Sequence, residues 1–158
     1  MIRQLNARSN FNSKSYSEEM RWVSGAAQKM EPGRTGGFIC VARLDGLPLW
    51  TRTFGHVPGE KRAEYIRLCQ EYTRELGRHH ELQSSFQLQE EGKNGVAIRC
   101  STKILSIISG FSRDMNEAML LALGVGTRTL DSAAAAAIAE ISNNQKWLEI
   151  QQQLLVDT

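Results

Sequence analysis

The chain has 158 residues, 41% hydrophobic and 23% charged, with a formal net charge of +2. That size suits one ordinary domain, and the composition excludes a disordered or fibrous chain. The small net charge, with Lys and Arg interleaved among nearly as many Asp and Glu, argues against a nucleic-acid footprint. No apolar run is long enough to span a bilayer, and the first sixteen residues lack the apolar core of a signal peptide, so the expectation is a cytoplasmic protein without a membrane partner.

Residues 1–14 read as a loose leader, and residues 15–158 as one domain. From Tyr16 to Met30, the residues Tyr16, Met20, Val23, Ala27 and Met30 recur at helical spacing, with Ser15-x-x-Glu18 as a capping box and Pro32-Gly33 as the stop. "FICVAR" and "LPLWTRTF" follow, two β-rich runs around Asp45-Gly46, which predict a hairpin between Phe38–Arg43 and Leu49–Phe54. Pro48 belongs at a strand start or on an edge, because it cannot donate to a ladder.

Lys61 to Leu76 returns to helical period, with Tyr65, Cys69, Tyr72 and Leu76 on one face and Gly77 as the C′ residue. Leu82, Phe86 and Leu88 alternate with polar residues and predict a half-exposed strand. "EEGKNG" supplies a turn, and "VAIRC" and "ILSIIS" supply two further strands that complete a meander. Ser112 is placed to cap a helix over Arg113–Leu123, with Met115, Ala118, Met119 and Ala122 facing inward. Asp131 caps an alanine-rich helix, and after Asn143-Asn144 a last helix carries Trp147, Ile150 and Leu154; together these fill residues 131–155. The order of helix, two strands, helix, three strands and helix predicts an α+β, profilin-like domain with a five-stranded antiparallel sheet and extra C-terminal helices.

Cys40, Cys69 and Cys100 lack C-x-x-C spacing and lie in apolar segments, which points to buried reduced thiols. Ser109-Gly110 sits at a strand-to-helix turn, but a nucleophile elbow also needs glycines two residues before and after the serine, where Ile107 and Phe111 stand. No catalytic residue and no metal set has diagnostic spacing, and His79 and His80 are explained by their place after a helix end, where the dipole favours a cation. His56, in the loop "FGHVPG", is the better ligand candidate, since loops at strand ends present ligand contacts. The Ala-rich C-terminal helices offer a surface for a second copy of the chain or for capping their own core.

Two resemblances follow from these motifs. "ILSIISG", the gap "FSRDM" and then Asn116-Glu117-Ala118 resemble the GlcG/HbpS superfamily, which includes the PduO C-terminal domain. The likeness spans about residues 37–123, with Asn116 where that family often has aspartate. It implies a non-catalytic small-ligand module that binds haem or another tetrapyrrole as a homo-oligomer. Ser109, Gly110, Asn116 and Glu117 match its motif, no haem ligand transfers onto a matching position, and with His56, Pro58 and Gly59 of the strand-end loop these are the expected ligand contacts. "VARLDGLPLW" resembles the first hairpin of roadblock-type domains, which implies a homodimeric scaffold that joins its sheets and regulates a protein partner.

Overall fold

The computed structural model describes residues 12–34, 36–88 and 94–157. Five α-helices and four strands lie among them, in the order α1 (Ser13–Met30), β1 (Gly37–Arg43), β2 (Pro48–Phe54), α2 (Arg62–Arg78), β3 (Val96–Cys100), β4 (Lys103–Ser109), α3 (Arg113–Gly126), α4 (Ser132–Ile141) and α5 (Lys146–Asp157). One-turn 3₁₀ helices precede α2 at Gly59–Lys61 and β3 at Ser85–Leu88. The strands form a single antiparallel sheet in the order β2-β1-β4-β3. The α+β class is as expected from the sequence.

The predicted hairpin forms with Phe38 opposite Thr53 and Cys40 opposite Thr51. Its turn depends on Gly46, whose φ of +93° is open to glycine and strained for other residues. Pro48 opens β2, which lies at the edge of the sheet as its missing N–H requires.

The two sheet faces carry different cores. On one face Phe38, Cys40, Ala42, Ala97, Ile104 and Ile108 pack beneath Tyr65, Cys69, Tyr72 and Leu76 of α2, the stripe predicted from helical spacing. On the other face Ile39, Val41, Val96, Ile98, Leu105 and Ile107 meet α1 and α3, and α4 and α5 extend this core through Ala135, Ile138, Trp147 and Ile150. β1 and β4 are central and touch both layers, so both of their faces must be apolar; six of the seven residues in each are buried.

Among the described residues the fifth strand is absent, and the sheet has four. Over the stretch where Leu82, Phe86 and Leu88 predicted a strand, only one isolated bridge, Ser84 to Ile98, remains before the chain tightens into the 3₁₀ turn. Serine side chains account for the change. The Ser84 hydroxyl accepts from the Phe86 N–H at 3.2 Å, and the Ser85 hydroxyl takes the Ala97 N–H at 2.8 Å, where a strand would have offered a carbonyl. Hydroxyl competition of this kind diverts the backbone from a ladder. Most of the predicted turn "EEGKNG" falls outside the described residues, as do residues 1–11 of the predicted leader.

Several boundaries move by a turn. α1 is capped by Asn12, whose Oδ1 accepts from Lys14 N and Ser15 N, so Ser15 is not the cap and Asn12 to Lys14 already belong to the ordered start of this helix. α2 runs through Gly77 to Arg78 and is capped at His79, so Gly77 is not its C′ residue. Ser112 and Asp131 do cap α3 and α4, accepting from Met115 N and Ala134 N. α3 extends past Leu123 to Gly126 and ends in a Schellman arrangement, with Thr129 N donating to the Gly124 carbonyl at 2.8 Å and Arg128 at φ +62° in the position where glycine is usual.

Candidate functional site

The corner that ends β4 is built by a side-chain network. Ser109 is 2% exposed and Asn116, one turn into α3, is fully buried. The Ser109 hydroxyl donates to Asn116 Oδ1 and accepts from the Phe111 N–H at 3.0 Å. Asn116 Nδ2 donates to the Asn94 carbonyl at 2.7 Å, and Asn94 Nδ2 returns to the carbonyls of Ser109 and Phe111 at 2.5 and 2.7 Å. Every polar group of Ser109 and Asn116 is therefore engaged inside the fold. The serine is a strut that fixes the turn into α3, and the hydroxyl has no base beside it among the described residues.

Glu117 lies next to Asn116 and is also fully buried. Its carboxylate accepts from Ser84 Oγ at 2.5 Å, Ser142 Oγ at 2.7 Å and Asn144 Nδ2 at 3.0 Å. Burial raises its pKa, and these three donors together with the Arg113 charge pull against that rise. Arg113 places its guanidinium 4.6 Å from the Phe86 ring centroid and donates to the Ser85 carbonyl at 3.1 Å, while its Nε is buried without a partner. One carboxylate thus ties α3 to the Ser84 bridge and to the α4–α5 turn.

The predicted loop residues lie apart from this cluster. His56 and Gly59 are exposed and Pro58 is half-buried. The loop meets the corner only through backbone: Gly36 N donates to the His56 carbonyl at 3.1 Å, and Gly110 N donates to the Gly36 carbonyl at 3.2 Å. A Cβ on Gly36 would stand 1.8 Å from the Phe54 carbonyl oxygen, so only glycine permits that approach. The structure thus brings Ser109, Gly110, Asn116 and Glu117 together and leaves His56, Pro58 and Gly59 on a separate surface loop. Because the polar side chains of the corner are spent on internal hydrogen bonds below the surface, the arrangement does not fit a tetrapyrrole between His56 and Ser109.

No group of three or more His, Cys, Asp or Glu side chains able to hold a metal ion occurs among the described residues. His79 pairs with Glu81 at 3.3 Å on the surface. All three cysteines are buried and unpaired. Burial pushes the Cys40 thiol up to about 11 and the Cys100 thiol to about 12, and raises Cys69 further, so none is a nucleophile at neutral pH.

Residues that spacing did not single out carry much of the geometry. Glu31, at the end of α1, accepts from Ser112 N at 2.9 Å and Ser112 Oγ at 2.6 Å, placing a carboxylate on the N-terminus of α3. Lys146 at the start of α5 stands 3.7 Å from the same carboxylate. The Pro32-Gly33 stop immediately after it is the visible signal, and it hides the capping role of Glu31.

The edges of the sheet differ. The outer side of β3 is closed, because Ala97 N is taken by Ser85 Oγ and Arg99 N by the Gln83 carbonyl at 2.8 Å. Arg99 closes it further by donating to the Leu76 and His79 carbonyls at 2.7 and 3.2 Å. β2 pairs only with β1 among the described residues, and its outer side is open. Near it Leu44, Leu47 and Leu49 are exposed by 46%, 53% and 39%. No family model, no curated protein and no solved structure matches the chain.

Proposed function

We propose that this protein is a non-catalytic interaction module that pairs with a second copy of itself along β2. The observation that carries the reading is the asymmetry of the sheet: β3 is sealed by side chains and β2 is open. An open edge is a template for strand addition, and although Leu49 is bulged out of register between Pro48 and Trp50, β2 runs regularly from Trp50 to Phe54 with no lysine to blunt it. The domain is a profilin-like variant in which the first strand of the meander has shrunk to the Ser84 bridge. The resemblance of "VARLDGLPLW" to roadblock-type hairpins, whose owners dimerise by joining sheets, supports the same surface.

An isologous antiparallel pair centred on Thr51 sets Trp50 of one copy opposite Arg52 of the other on the α1 side of the sheet, and the regular pairing ends there at the Leu49 bulge. This arrangement supplies a cation–π pair, and the two threonines meet on the axis. A stable interface needs about 800 Å² from each partner, more than a seven-residue strand supplies, so Leu44, Leu47 and the exposed Ile66 of α2 join it. Light scattering across a concentration series is expected to show a monomer–dimer equilibrium. Thr51→Lys, which sets like charges face to face on the axis, shifts it to monomer. A wild-type protein that stays monomeric throughout, or a Thr51→Lys variant that dimerises as well as wild type, overturns the reading.

A further inference from the structure

At the opposite end of the sheet from the Ser109 corner, the start of α1, the β3–β4 turn and the turn after α3 enclose a cavity of about 340 Å³. We propose that this cavity is an oxyanion site that takes a phosphate group, either free or carried on a small molecule. Two cations line it, Lys103 at the start of β4 and Arg128 from the turn after α3, and among the described residues no carboxylate lines it. Among the described residues neither cation has an ion-pair partner. Glu19 packs against Gly126 nearby but is not part of the lining.

The neutral lining is rich in donors. Ser101 and Thr102 place exposed hydroxyls on one wall, and Asn12, whose Oδ1 is spent on capping α1, keeps its amide nitrogen as a donor. The other wall is held rigid by a relay of hydroxyls. Tyr16 bonds Thr129, Thr129 bonds Thr127 at 2.9 Å, and Thr127 donates to the Leu123 carbonyl at 2.8 Å. This relay fixes the turn from which Arg128 projects. Burial raises the Tyr16 pKa, so its phenol stays protonated and keeps the relay directed.

The backbone carries an independent mark. Ser101 at φ +49° and Arg128 at φ +62° are two of the three non-glycine residues in the left-handed region among the described residues, and both line this one cavity. The third, Asn143, is a residue type that tolerates the region. At Arg128 the helix ending asks for glycine, so the chain accepts strain to keep an arginine there, and such strain collects at binding sites. Two cations and several neutral donors match a phosphate, which carries up to two charges and three acceptor oxygens. The volume admits a small ligand around it.

The site is tested by amide NMR titration of the whole protein with inorganic phosphate and, separately, with glycerol 3-phosphate, at ionic strength held constant with chloride. Saturable shifts are expected at Thr102, Lys103, Arg128 and Thr129 with at least one probe. Tighter binding of the ester identifies a phosphorylated metabolite, and equal binding identifies the free anion. Lys103→Gln and Arg128→Gly are each expected to weaken binding by about tenfold or more. Arg128→Gly also relieves the positive φ, so its melting temperature is expected to equal or exceed that of wild type, and its loss of binding cannot be assigned to unfolding. Absence of saturation with both probes, or binding undiminished in Arg128→Gly, overturns the proposal.

Discussion

Replacing Glu117 by alanine removes the acceptor shared by Ser84 Oγ, Ser142 Oγ and Asn144 Nδ2. Asn144 keeps a second acceptor in the Asp114 carbonyl at 2.8 Å, so its loss is partial. Ser84 is fully buried and its hydroxyl has no other acceptor among the described residues. Leaving the buried Ser84 donor unsatisfied costs about 1–3 kcal/mol, and the half-buried Ser142 hydroxyl, which can turn to water, adds less. Relief from burying a carboxylate offsets part of this, and we expect a net loss of about 2 kcal/mol. A domain of this size has about 5–15 kcal/mol to lose, so the variant folds but with a marked drop in urea midpoint. Urea unfolding followed by tryptophan fluorescence measures it, since Trp147 is 4% exposed in the same core. Pairing the substitution with Ser84→Ala in a double-mutant cycle should return a coupling of about 0.5–3 kcal/mol. A loss under about 1 kcal/mol for Glu117→Ala, with no coupling to Ser84, would refute the account of this carboxylate as the tie between α3, the Ser84 bridge and the α4–α5 turn.

The same group makes stability depend on pH. Because the folded pKa of Glu117 is raised above its ordinary 4.5, the native state holds the proton more tightly, and its contribution to stability is complete below that value and falls as pH rises toward the folded pKa. Urea midpoints of wild type and Glu117→Gln, measured from pH 4 upward, should differ by an amount that changes in that direction, whereas a constant difference rejects the assignment. The thiols of Cys40, Cys69 and Cys100 should react with a disulfide reagent only in denaturant, and reaction of any of them at the rate of a free thiol in the native protein contradicts their burial.

The layers were legible in the sequence because α1 and α2 each bury one apolar face. Tyr65, Cys69, Tyr72 and Leu76 repeat along α2 and all four are buried, and Tyr16, Met20, Val23 and Ala27 do the same along α1. The missing strand was not legible, since Leu82 and Phe86 have the spacing of a strand while the outcome is decided by Ser84 and Ser85 bonding to Glu117 and Ala97, residues remote in sequence. The corner motif was found at Ser109, Gly110, Asn116 and Glu117, but its chemistry was hidden for the same reason. Asn94, Ser142 and Asn144 saturate it from two other segments, and no local pattern announces them. Arg128 was passed over because an arginine gives no turn signal, whereas Gly124 and Gly126 beside it do.

The strand order β2-β1-β4-β3 has a consequence for how the chain is made. β1 leaves the ribosome with only β2 to pair with, and its other neighbour, β4, begins 60 residues later (103 − 43). At about 5–20 residues per second, that leaves the apolar strand β1 half-paired for roughly 3–12 s. α2 emerges within that interval and can cover Phe38, Cys40 and Ala42, whereas the face of Ile39 and Val41 has only α1, already made, until α3 follows. During synthesis the nascent chain therefore passes through a stage with one face covered and the other only partly so, the kind of surface that holding chaperones engage.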